Sequence, residues 1–91
     1  MQSKDVINLT RVLGEKFLKQ GIVLTTVESC TGGLLAAKLT NIAGSSTWFD
    51  RGFITYSNQS KIDCVGVMKS TIKKYGAVSQ QTANEMALGG I

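Results

Sequence analysis

Ile22-Val-Leu-Thr-Thr-Val-Glu-Ser-Cys-Thr-Gly-Gly33 is the stretch that decides how this chain reads. Its first half is apolar and β-branched, the composition of a buried strand. Its second half breaks into small polar residues and two glycines, and Leu34 to Ala43 follows as an apolar-rich helix. A strand, turn and helix in this order present side chains and unpaired first-turn N–H groups at the end of a sheet. Val23, Leu24 and Val27 are apolar on both faces of the alternation, so the strand is expected inside a sheet, covered on both sides.

Upstream, Asp5 to about Gln20 reads as an amphipathic helix. Val6, Leu9, Leu13 and Phe17 recur at helical steps, and Val12 and Leu18 widen the stripe. Ser3 is the expected N-cap and Gly21 stands at the C′ position. Downstream, Gly44 suits a left-handed cap, and Trp48 to Tyr56 forms a second strand in which Gly52 marks a bulge or a close backbone approach. Ser57 or Asn58 caps a helix through Lys61 to about Val65, and Gly66 ends it. Lys69 to Tyr75 is a further short helix before Gly76. Ser79 caps the last one, which carries Ala83, Met86, Ala87 and Leu88. This is an α/β pattern with only two strands, and a two-stranded sheet is rarely stable alone in water. Either partner subunits complete it, as in a homo-oligomer, or the 91 residues are the front part of a larger domain. The second is the preferred expectation.

Composition narrows the chemistry. The chain is 43% hydrophobic and 18% charged, which fits a globular protein. No apolar run approaches the roughly 20 residues that span a bilayer. The first residues lack the apolar core of a signal peptide, so the cytoplasm is the default location. The net charge of +4 is spread along the chain, and only Lys73 and Lys74 are adjacent. Solvated helix faces account for it, and a nucleic-acid partner is not expected. Cys30 and Cys64 have no metal-ligand spacing. There is no histidine, which excludes Ser-His, Cys-His and His-containing zinc machinery within this chain. Hydrolytic chemistry would have to pass its proton to Lys, Glu, Asp, Tyr or water.

Hydroxyl, thiol, hydroxyl and two glycines stand together after the first strand. Gly32 and Gly33 let a substrate approach the backbone, and such a nest stabilises a phosphate or a developing oxyanion. The Walker A, nucleophile-elbow and dinucleotide fingerprints are all absent. The plainer alternative is a polar helix start with Ser29 or Thr31 as N-cap. If the turn is catalytic, Ser29 is the preferred nucleophile over Cys30, which lacks a histidine partner but whose N–H can serve an oxyanion. A lysine such as Lys61 is ordinarily a solvated charge, and it acts as a base only when burial or a cationic neighbour favours its neutral form. Tyr56 stands five residues earlier, where it can orient the lysine or relay its proton, or be an ordinary half-buried strand aromatic.

Four ordered motifs carry a resemblance. Val27-Glu-Ser-Cys-Thr-Gly-Gly33, Ile42-Ala-Gly-Ser-Ser46, Arg51-Gly-Phe-Ile-Thr-Tyr-Ser-Asn58 with Lys61, and Gly76-Ala-Val-Ser79 resemble the CinA C-terminal domain family. The resemblance implies a three-layer α/β/α sandwich around a mixed sheet. It also implies hydrolysis of nicotinamide mononucleotide to nicotinic acid mononucleotide and ammonia, a small-molecule nucleotide reaction without metal or other cofactor and without a membrane partner. It assigns Ser29 as nucleophile and Lys61 as its partner, with Tyr56 nearby. Cys30, Thr31, Gly32, Gly33 and Asn58 are the expected substrate-binding positions. Family domains run on past the Ala83-Asn-Glu-Met-Ala-Leu-Gly stretch to further strands and a second glycine-rich motif. Residues 1–91 are therefore expected to be a single amidase-like domain cut short at its C-terminal end. The alternative is an inactive fragment that binds nucleotide or serves assembly.

Overall fold

The computed structural model describes residues 4–91; the expected Ser3 cap lies outside them. Helix α1 (Lys4–Gln20) leads to strand β1 (Leu24–Glu28), helix α2 (Leu34–Thr40), a 3-10 turn (Ser45–Thr47) and strand β2 (Phe49–Ile54). Helices α3 (Asn58–Val65), α4 (Lys69–Tyr75) and α5 (Gln80–Gly89) follow. The strands pair in parallel, with Thr26 opposite Gly52 and Glu28 opposite Ile54. Helices cover both faces, as the α/β reading requires, and among the described residues the sheet consists of this one pair.

Each face has its own packing. On one, Gly52 lies so close to α2 that a β-carbon there would stand 2.7 Å from Thr26 Oγ1 and 3.6 Å from Ala36 Cβ. The close approach expected at Gly52 is present, whereas the register slips two residues earlier, at Asp50, which is skipped between the partners of Leu24 and Thr25. On the other face Val27 and Phe53 pack with Ile72 against a core of Val65, Val67 and Met86. Burying each such side chain stabilises the fold by about 1.5–3 kcal/mol. Glu85 of α5 ties down α4, accepting from Met68 N at 2.9 Å and from Thr71 Oγ1 at 2.6 Å.

Two sequence expectations need correction. The leucine stripe of α1 faces outward: Leu9 is 70% exposed, and Val12, Leu13 and Leu18 are exposed as well. The buried positions are Thr10 and Gly14. The reason is Trp48, whose indole fills the space a side chain at Gly14 would need, since a β-carbon there would lie 2.6 Å from Trp48 Nε1. Thr10 can be buried because its hydroxyl donates to the Val6 carbonyl at 2.7 Å. Small residues one turn apart thus seat the helix on the indole, and hydrophobicity alone picks the wrong face. The elements are also shorter than expected. Ile22 closes α1 by donating to Phe17 O at 2.9 Å, so β1 begins at Leu24 with Val23 exposed. Helix α2 stops at Thr40, whose hydroxyl turns back to Ala36 O at 2.8 Å, and its Leu34 and Leu35 are exposed while Leu39 is buried.

Candidate active site

Parallel pairing brings the C-terminal ends of β1 and β2 side by side, and open α/β sheets place ligands at such ends. The chain leaves β1 at Glu28 and turns through Ser29 to Gly33, with Gly32 N donating to Ser29 O and Leu34 N to Thr31 O, each at 3.1 Å. Gly32 and Gly33 take left-handed φ values of 60° and 99°, which only glycine adopts without strain. Neither Ser29 nor Thr31 caps α2. The N-cap position is Gly33, without a side-chain bond.

Glu28 does the capping instead. It is 4% exposed, and its carboxylate accepts from Leu35 N at 2.7 Å, Ala36 N at 3.0 Å and Thr31 Oγ1 at 2.8 Å. Burial pushes its pKa up, but the donors of Ala36, Thr31, Leu35 and Gly33 outweigh burial and hold the carboxyl below its ordinary 4.5. The expectation that the first turn of α2 points its amides at a ligand is therefore overturned, because a buried carboxylate already occupies them. Cys30 N and Thr31 N have no hydrogen-bond partner among the described residues.

The second wall comes from β2 and α3. Ser57 caps α3, its Oγ accepting from Ser60 N at 3.0 Å, and this sets the helix so that Lys61 turns inward. Lys61 is 2% exposed. Its Nζ donates to Ser29 Oγ at 3.0 Å, to Thr55 O at 2.9 Å and to Tyr56 O at 3.2 Å. None of the three acceptors is a carboxylate. Ser29 and Lys61, the pair singled out in the sequence, are thus in direct contact.

The remaining expected residues divide. Tyr56 reaches the lysine through its carbonyl, while the residue as a whole is 75% exposed. Cys30 lines a cleft of about 470 Å³ together with Ser29 and Lys61. Thr31 turns its hydroxyl to Glu28, Gly32 and Gly33 shape the turn, and Asn58 opens α3 on the exposed surface. The far wall of the cleft is Ala77 to Gln80 with Ala83 and Met86. There Ser79 caps α5, accepting from Thr82 N at 3.2 Å. Sequence reasoning gave this wall, Glu28 and Thr55 no place in the site, although all three touch the ordered motifs. A glutamate between a buried strand and a polar turn is a visible signal for a distant helix cap, and the Gly76-Ala-Val-Ser79 motif is the signal for the wall.

The model of the CinA C-terminal domain matches residues 6–91. Nicotinamide-nucleotide amidohydrolase PncC of Enterobacter agglomerans is 52% identical over 89 residues, 98% of this chain and 54% of the relative. The protein of the same name from Escherichia coli K12 is 44% identical over 91 residues, 100% of this chain and 55% of the relative. The crystal structure of the competence/damage inducible protein CihA from Agrobacterium tumefaciens superposes with a TM-score of 0.94 at 48% identity, covering 99% of this chain and 55% of that one. A CinA superfamily structure from Escherichia coli gives 0.93 at 34% identity, covering 100% of this chain and 54% of that one. The chain spans about half the length of the curated relatives it matches.

Proposed function

The chain belongs to the CinA C-terminal domain family, and from that premise we propose that it carries the nucleophile and base of a nicotinamide-nucleotide amidohydrolase. The observation that supports this most is the 3.0 Å contact between a buried lysine amine and Ser29 Oγ. A neutral amine keeps two N–H donors on the Thr55 and Tyr56 carbonyls and receives the serine hydroxyl on its lone pair, the reverse of the N–H donation described above. That is the arrangement in which a lysine activates a serine nucleophile. The names of the relatives supply the substrate class, a nicotinamide nucleotide.

Ser29 Oγ attacks the carboxamide carbon and its proton passes to Lys61 Nζ. The oxyanion is held by the free Cys30 N–H, with Thr31 N–H beside it. As the tetrahedral intermediate collapses, the C–N bond breaks and Lys61 returns the proton to departing ammonia. Water then attacks the acyl-serine, gives a proton to Lys61, and the C–O bond breaks as that proton returns to Ser29, releasing the acid. Glu28 takes no part in proton transfer, since its carboxylate is engaged by the first turn of α2.

Incubation of the chain with nicotinamide mononucleotide tests the reading. Ammonia release is expected, and Ser29→Ala abolishes it. Full activity in Ser29→Ala with none in Cys30→Ala would transfer the nucleophile's role to the thiol. Nucleotide binding without release would support the non-catalytic binding module instead.

A further inference from the structure

Thr55 is fully buried, with 0% exposure, and all of its polar groups are engaged. Its N–H donates to Glu28 O at 2.7 Å and its hydroxyl donates to the same carbonyl at 3.2 Å. Its own carbonyl accepts from Lys61 Nζ at 2.9 Å. Glu28 is the residue immediately before Ser29, and Lys61 Nζ meets Ser29 Oγ at 3.0 Å. These contacts close a ring: Ser29, Glu28 by covalent chain, Thr55, Lys61, and back to Ser29. Thr55 is the link that touches the lysine and carries no reacting atom itself. It also lies one residue past the end of β2, where a strand without further ladder bonds frays.

We propose that Thr55 is a positioning residue for the serine–lysine pair, its hydroxyl doubling the bond to Glu28 so that its carbonyl holds Lys61 at Ser29. This rests on the reading of Ser29 and Lys61 as nucleophile and base. The β-branched side chain has few χ1 states, and two donors on one carbonyl fix both the side chain and the peptide. With the hydroxyl gone, a single N–H bond ties the end of β2 to β1. The Thr55 carbonyl then tilts and the amine follows it. Displacements on the order of 1 Å in reacting groups cost up to about 10²-fold in rate. Valine has the shape of threonine and leaves no unsatisfied group behind, so Thr55→Val is expected to keep the fold.

The test reads Ser29 directly, by its rate of covalent labelling with a fluorophosphonate followed by intact mass, so substrate binding does not enter. Wild type labels once, and Ser29→Ala blocks the label. Thr55→Val labels about tenfold or more slowly with an unchanged circular dichroism spectrum, and Thr55→Ser labels at the wild-type rate. In a Lys61→Met background the Thr55→Val effect disappears, because its route to Ser29 is gone. Equal labelling of Thr55→Val and wild type, or losses that simply multiply in the double variant, overturns the positioning role and leaves the serine–lysine pairing standing. No labelling of folded wild type overturns both. Should Thr55→Val fail to fold, Thr55→Ala against Thr55→Ser makes the same comparison, with the same reversal if the two label alike.

Discussion

The molecule has two junctions at which a parallel strand hands over to a helix, and they solve the same problem differently. From β1 into α2, the helix start is closed by a carboxylate reaching forward from the strand, Glu28 onto Leu35 N and Ala36 N. From β2 into α3, a local serine does it, Ser57 onto Ser60 N. The first solution places a buried negative group beneath the turn and leaves Ser29 and Cys30 at the cleft. The second leaves the interior of its junction free for an amine, and Lys61 fills it. One junction presents the hydroxyl and the other the amine. A helix N-terminus that is filled from within is no longer a ligand site, so the polar chemistry moves one turn back, to Ser29 and the free amides after it.

The contrast can be broken on the amine side first. Lys61→Met is expected to lower ammonia release by about 10²–10⁴-fold, with the folded circular dichroism spectrum retained. A residual rate within a few-fold of wild type would remove the lysine from the mechanism. On the carboxylate side, Glu28→Ala strips two helix amides of a charged acceptor and should cost about 3 kcal/mol in urea unfolding. A loss as small as that of an ordinary cap would mean that the first junction is not carried by Glu28.

Acid sharpens the same point. Glu28 and Glu85 both sit below the ordinary carboxyl value of 4.5 in the folded protein. For Glu85 the main cause is the Thr71 hydroxyl, then the Met68 amide. The unfolded chain therefore takes up protons at higher pH than the folded one. Stability is complete above about pH 4.5 and falls as the pH drops through the folded values. Glu28→Gln should flatten part of that decline and leave the share due to Glu85, which a urea midpoint followed from pH 6 to 3 would resolve. The smallest effect belongs to the second junction, where Ser57→Ala should cost about 1 kcal/mol. If it matches Glu28→Ala, the two junctions do not differ in the way described.

Much of the frame was legible. The caps at Ser57 and Ser79 and the glycines ending α1, α3 and α4 sit where local side-chain chemistry puts them. The strand, polar turn and helix around Ser29 follow from composition. The outward stripe of α1 was not legible, because the face a helix buries depends on its neighbour: Trp48, 34 residues beyond Gly14, prefers a glycine groove to a leucine ridge. Nor was the exposure of Tyr56, whose carbonyl, a group any residue possesses, is what meets Lys61.

By itself the sequence determined what chemistry was open to these 91 residues: with no histidine among them and a serine at a glycine-rich turn, only a few of their side chains remain to take a proton. Only the tertiary structure decided which of them stands beside the serine. Ser29 and Lys61 are 32 residues apart, and no local window connects them. The parallel register that sets Glu28 beside Ile54 brings Thr55 to Glu28, and the two carbonyls that follow hold the amine at the serine. Backbone carbonyls carry no sequence signature, so the group that aims Lys61 at Ser29 comes into being only when the two strands pair.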